Sequence, residues 1–249
     1  MGRAVLLVTL VILGCGSARN SAFNDSCARK VADVLVEVLG SNEIKKSITL
    51  DETRARLSKA LRSCPDLDVL ERPMFGPFTR LDIAILAWDI EMVEEVLVNL
   101  EAEPTHELSS SPRGIGPLHN AAAYGNPTII NRLVSAGFSV DASDEVGWTP
   151  LIWAMGSSGS PEDNLKALVV AGADILLEDE SGWTALDQAV LSSPPDLKKL
   201  RILVSHISLS DKRAADALAN TREFAEKNGL DEAIEIIDAK LNEKHDTQE

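Results

Sequence analysis

Apolar residues fall at helical spacing in two early stretches of the chain. Val31, Val34, Leu35, Val38 and Leu39 recur at i, i+3 and i+4, a pattern that lines one face of a helix. After the polar link Gly40-Ser-Asn-Glu43, Thr49-x-x-Glu52 has the form of a capping box. Leu57, Ala60, Leu61 and Cys64 then share one face behind it. Two such helices folded back antiparallel form a hairpin over 19–69 and bring the start of the first beside the end of the second. Cys27 and Cys64 sit at those ends.

Further along, a phrase repeats. Asp144-Glu-Val-Gly-Trp-Thr-Pro-Leu-Ile-Trp-Ala-Met155 returns, loosened, as Asp179-Glu-Ser-Gly-Trp-Thr-Ala-Leu-Asp-Gln-Ala-Val190, its Thr149 and Thr184 lying 35 residues apart. One unit earlier, 33 residues before Thr149, stands Gly116-Pro-Leu-His-Asn-Ala-Ala-Ala-Tyr-Gly125. Each phrase leads into a second apolar run: Ile129, Ile130, Leu133 and Val134; Leu168 and Val169; Leu200, Leu203 and Val204. A fixed period of this length marks a stacked repeat. The three units closely resemble the ankyrin repeat, with its T-P-L-H-x-A-A-x-x-G helix start and its G-A-D after the second helix. Weaker copies flank them, at Thr79-Arg-Leu-Asp-Ile-Ala84 with Val93, Val96 and Leu97, and at Phe224-Ala-Glu-Lys-Asn-Gly229 with Ile234 and Ile237. Terminal repeats are expected to depart from the pattern because their outer faces meet water.

The resemblance implies an all-α solenoid of about five repeats over 70–241, preceded by the helical hairpin and followed by a polar tail at 242–249. It implies that His119 holds a turn by hydrogen bonds. Gly125, Gly137 and Gly172 are expected at helix ends with positive φ. Ser-Pro pairs at 160–161 and 193–194 are expected to cap the following helices. In this family the hairpin tips and first-helix surfaces line a concave face that binds another protein. Matched position by position, that face takes in Phe78, Ile115, Asn120, Tyr124, Trp148, Trp153, Trp183 and Gln188. Two readings of the tryptophans stand side by side: packing across the neighbouring hairpin, or anchoring a partner.

Composition narrows the partner. The 249 residues carry a formal charge of -15, and the stretch 81–112 holds many acids but no Lys or Arg. Such a surface repels phosphate backbones, which argues against nucleic acid. No phosphate-binding Gly loop, nucleophile elbow or metal-ligand spacing occurs, so no catalytic residue, metal site or cofactor is nominated and the chain reads as non-enzymatic.

The first residues point to export. Arg3, the apolar run Ala4–Leu13 and the small residues after it match a secretory signal peptide over 1–18, and the run is shorter than the ~20 residues a spanning helix needs. Ile12-Leu13-Gly14-Cys15 resembles a bacterial lipobox, which implies a lipid anchor on Cys15 and a periplasmic location. The alternative is ordinary cleavage near Gly16-Ser17-Ala18, leaving a soluble exported protein. Either leaves Cys27 and Cys64 in the mature chain, an even pair that reads as one disulfide in an oxidising compartment, with two buried free thiols as the alternative. A binder of this kind suits an immunity protein that neutralises a secreted toxic effector. The other reading is a structural or accessory role beside an envelope or oxidative-stress enzyme.

Overall fold

Helices in antiparallel pairs account for nearly all of the described residues. A computed structural model describes residues 26–39, 50–65, 69–70, 78–101, 113–156 and 162–246. The expected signal segment 1–18 with Cys15 lies outside them, as do the side chains of Cys27 and Phe78. Two helices come first, α1 (Ser26–Leu39) and α2 (Leu50–Arg62). A two-residue antiparallel ladder follows, β1 (Val69–Leu70) on β2 (Phe78–Thr79), with Val69 opposite Thr79 and Leu70 opposite Phe78. The helical pairs are α3 (Arg80–Ala87) and α4 (Ile90–Glu101), α5 (Pro117–Tyr124) and α6 (Pro127–Ser135), α7 (Pro150–Gly156) and α8 (Glu162–Val170), α9 (Ala185–Leu191) and α10 (Leu197–His206), and α11 (Lys212–Lys227) and α12 (Asp231–Asp246).

The pairs stack into two rows. α3, α5, α7, α9 and α11 pack on one another in order, α4, α6, α8, α10 and α12 form a second row behind them, and α2 packs on both α1 and α3. The repeated Leu and Ala of the sequence explain the first row. Leu81, Leu118, Leu151 and Leu186 are buried, and so are Ala84, Ala121, Ala154 and Ala189 one turn later. Ala at that turn leaves room for the next helix, while each Leu removes roughly 1.5–3 kcal/mol worth of apolar surface from water. The second row contributes Val93, Ile130, Leu133, Leu165, Leu168, Leu200 and Leu203 to the same continuous core. No single pair could bury such a face alone.

The helix starts follow from local chemistry. Thr79 caps α3 in a complete capping box with Asp82, and Thr184 caps α9 in the same way with Asp187. At the head of α7 the Ile152 N–H reaches Thr149 Oγ1 at 3.3 Å. Gly116 opens α5 without a side chain, and His119 takes over, its Nδ1 accepting the Gly116 N–H at 3.0 Å.

Several expectations change in detail. Gly137 and Gly172 do adopt positive φ, 92° and 94°, but Gly125 has φ -80°. Its requirement is space: a Cβ there would lie 2.7 Å from the Ala121 carbonyl oxygen. The cap of α10 is Asp196, whose carboxylate accepts the Lys199 N–H at 3.1 Å, rather than Ser193. Asp196 stands directly before the first free amides, whereas Ser193 stands three residues earlier, in a bend. The expected 160–161 cap lies outside the described residues. The last helix continues past 241 to Asp246, with Lys240 and Glu243 paired at 2.8 Å along it, so the polar tail starts later than its composition suggested.

Candidate protein-binding face

The repeated phrase builds the projecting loops between repeats. In one, the Asp144 N–H donates to the Trp148 carbonyl at 3.0 Å, and Asp179 does the same to Trp183 at 2.9 Å in the next. Neighbouring loops are joined by single backbone bonds, Glu145 N–H to Arg113 O at 2.9 Å and Glu180 N–H to Val146 O at 3.1 Å. Gly147 sits in this seam with φ 79°, and a Cβ on it would come within 2.8 Å of the Glu180 nitrogen. The Gly of the phrase therefore serves both the turn and the close approach of the next loop.

Its Asp does three things at once. Asp144 Oδ1 accepts the amides of Val146 (3.0 Å) and Trp148 (2.8 Å), and Oδ2 accepts the Trp153 indole N–H at 2.9 Å. Asp179 Oδ1 accepts from Ser181 (2.8 Å) and Trp183 (3.0 Å), and Oδ2 takes the Trp148 indole N–H at 3.0 Å. Trp148 thus reaches across to the following loop, and Trp153 reaches back to the start of its own. Trp183 packs edge-on against Phe224 of α11, ring centroids 5.5 Å apart. All three rings are half-buried, with the indole N–H groups of Trp148 and Trp153 engaged inside the protein.

The inner helices carry a second ladder. The third residue of α3, α5 and α9 is in each case met from the next helix of the row, by the fourth residue of α5 and α7 and the tenth of α11. Asn120 donates to Asp82 Oδ1 at 2.9 Å, Trp153 stacks edge-on over His119 at 5.8 Å, and Thr221 donates to Asp187 Oδ1 at 2.6 Å. Asn120 is consequently 7% exposed. Its nomination as a surface contact is corrected: its amide satisfies a buried carboxylate. Burial pushes the Asp82 carboxyl up, against hydrogen bonds from Thr79 and Asn120 that act the other way. His119 is fully buried, with Nε2 3.0 Å from the Trp148 carbonyl. With Nδ1 accepting, Nε2 carries the proton and donates. Burial holds this imidazole below its usual value, partly offset by the bond to Trp148. It is a turn-holding group, as its place in the repeat implied.

What remains accessible is a smaller set. Tyr124 is 37% exposed at the end of α5, Val146 44% at a loop tip and Leu191 39% at the end of α9. Ile115 and Gln188 are half-buried, and Phe78 lies in β2 with its side chain outside the described residues. Glu145, Glu178 and Glu180 are exposed along the loops, giving the face an acidic edge. Val146 and Leu191 stand at places the repeat leaves free, a signal that the sequence itself carries. Among the described residues no group of three or more His, Cys, Asp or Glu could hold a metal ion, and no helix is long and apolar enough to cross a membrane.

A family model described as Ankyrin repeats (3 copies) matches residues 81–179 and 118–216, together more than half of the 249 residues. The chain belongs to the ankyrin-repeat family. Its role is accordingly protein binding. This ankyrin chain is also 33% identical over 82 residues to the RelA-associated inhibitor of Mus musculus. That match covers 32% of this chain and 9% of the mouse protein, so it reports on the repeats alone.

Proposed function

We propose that this ankyrin chain is a non-enzymatic, exported binding protein that holds a partner protein against its loop tips and first-helix ends. The observation that carries the proposal is Val146, exposed at a loop tip next to Glu145 and bonded through its carbonyl to Glu180 of the following loop, with Tyr124 and Leu191 exposed at first-helix ends. An apolar centre with a charged rim is the composition protein interfaces use. Trp148 and Trp153 stiffen the loops that carry Val146 through their bonds to Asp179 and Asp144. The acidic rim and the charge of -15 favour a partner with a basic surface.

In the sharper form of this reading the partner is a secreted toxic effector and the ankyrin protein is its immunity protein. The signal-like first 18 residues and the lipobox-like Cys15 would hold it on the periplasmic side of a bacterial membrane. Cys64 is buried and disulfide-bonded, and Cys27, in the first turn of α1, is its proposed partner. A housekeeping envelope enzyme as the captured protein would favour the accessory role instead. Palmitate labelling that disappears in Cys15→Ala supports the anchor, and an exported but unlabelled wild type rules it out.

Partner capture by the wild type and by Val146→Glu/Tyr124→Ser tests the face. Both substituted side chains are exposed, so the variant should fold, as circular dichroism would confirm, and lose at least tenfold in affinity. Undiminished capture by the folded variant would remove this face from the account. Alanine at the tryptophans is the poorer probe, because it also removes struts between repeats.

A further inference from the structure

A cleft of about 450 Å³ opens where the leading hairpin meets the first repeat, lined by Arg54, Ser58 and Arg62 of α2 and by Trp88, Asp89 and Glu91. Two anomalies meet in it. The first is Trp88, which has φ 56°, left-handed backbone that strains any residue but Gly. It stands nine residues after Thr79, where Gly125 stands nine after Gly116. A bulky ring thus occupies a place that another repeat gives to glycine. Its indole N–H is tied to the Tyr124 carbonyl at 2.6 Å, which fixes the ring as a wall of the cleft.

The second anomaly is Arg54. Its guanidinium carbon lies 3.4 Å from the centre of the Trp88 ring, and its side chain is only 12% exposed. Nε is enclosed without a hydrogen-bond partner. Among the described residues, the carboxylate paired with the fork is Asp51, 3.9 Å away and itself 90% exposed. Burial lowers the pKa of Arg54, with Asp51 acting weakly against it. Arg62, by contrast, is fully engaged, at 2.6 Å from Asp89 and 3.1 Å from Glu91. An enclosed guanidinium held against an aromatic ring, its Nε unpaired and Asp51 no closer than 3.9 Å, is a receptor arrangement for a planar anion.

We propose that this cleft is a carboxylate-binding site in which Arg54, held against Trp88, pairs with the carboxylate of a ligand, either a chain terminus or an acidic side chain. The choice of carboxylate over phosphate rests on charge. Asp51, Asp89 and Glu91 surround the cleft, and a dianion meets twice the repulsion that a monoanion does. The site lies at the hairpin end of the solenoid; it touches the proposed face through the Tyr124 carbonyl, a backbone group that Tyr124→Ser keeps, so it is tested independently of that face.

The test is an NMR titration of the full chain, following the Arg54 Nε–H and Trp88 indole N–H signals. The probes are acetate, phosphate at equal ionic strength, a short N-acetylated peptide with uncharged side chains and a free C-terminus, its C-terminal amide, and that amide carrying one Glu. Acetate should shift both signals saturably, and phosphate should bind at least threefold more weakly. Response to the free terminus alone assigns the source to chain ends, and response to the Glu peptide assigns it to side chains. Asp51→Asn, which removes the internal competitor, should tighten acetate at least threefold. Arg54→Lys keeps the charge without the fork and should weaken it at least threefold, read at Trp88. The proposal is overturned by an absence of saturation with acetate, by equal response to the plain amide, by phosphate binding as tightly as acetate, or by unchanged affinity in folded Arg54→Lys.

Discussion

Gly147 and Gly182 hold the same place in successive loops and nearly the same backbone, φ 79° and 78°, yet they are under different constraints. A Cβ at 147 meets the Glu180 nitrogen at 2.8 Å, while one at 182 meets nothing within 4 Å. Gly147→Ala therefore adds a steric clash with the neighbouring backbone to the strain of positive φ, and should cost about 2–3 kcal/mol. Gly182→Ala carries only the strain, about 1 kcal/mol. Urea midpoints measure both, and equal losses would argue against the seam between loops. His119 supplies a pH test at the same scale. Its folded pKa lies below the unfolded value, so the unfolded chain binds more protons as the solution acidifies. Stability conferred by the neutral ring is complete well above the unfolded value of about 6.5 and is lost as pH falls through it. Asp82, raised by burial, acts with the opposite sign, so the comparison is between proteins. From pH 7.5 to 5.5 the wild type should lose more stability than His119→Gln, and parallel losses would contradict the assignment.

At the scale of elements, the buried ends of the second-row helices reach back to finish first-row helices. Asn164 of α8 donates to the carbonyls of Ala121, Ala122 and Gly125 at 3.2–3.3 Å, and Lys199 of α10 donates to Ala154 O at 3.0 Å. These are carbonyls a helix end leaves open, where a cation is also favoured. Lys199→Met should cost about 1–3 kcal/mol by leaving a buried acceptor unmet. Its neighbour Lys198, 81% exposed and paired with Glu162 at 3.4 Å, should tolerate Met within about 0.5 kcal/mol. Similar losses at both positions would refute the capping role. Such contacts mark the limit of what the sequence reveals. Leu118, Leu151 and Leu186 were readable as core because burial of a repeated face leaves a periodic trace. Thr79 and Thr184 were readable as caps because their partner lies three residues on. The Trp148 bond to Asp179 joins residues 31 apart, and no local spacing announces it. Asn120 looked free for the same reason: the carboxylate that claims it belongs to another repeat.

Across the whole molecule, these cross-repeat bonds decide which residues are left for recognition. The phrase with two tryptophans is first of all a joint. Asp144 and Asp179 hold the loops and tie the indoles, and Gly147 lets adjacent loops touch. Val146 is what the joint presents to solvent, with Tyr124 and Leu191 exposed at the far ends of first-row helices. The second row also exposes apolar side chains, Val98 at 66% and Val170 at 78%, so exposure alone does not single out a face. A photo-crosslinking amino acid placed at Val146 or at Val170, in the full-length protein in its native host, compares the two faces directly. The account predicts that the partner is trapped from position 146 and not from 170. Trapping from 170 alone would place recognition on the outer helices and contradict the central claim.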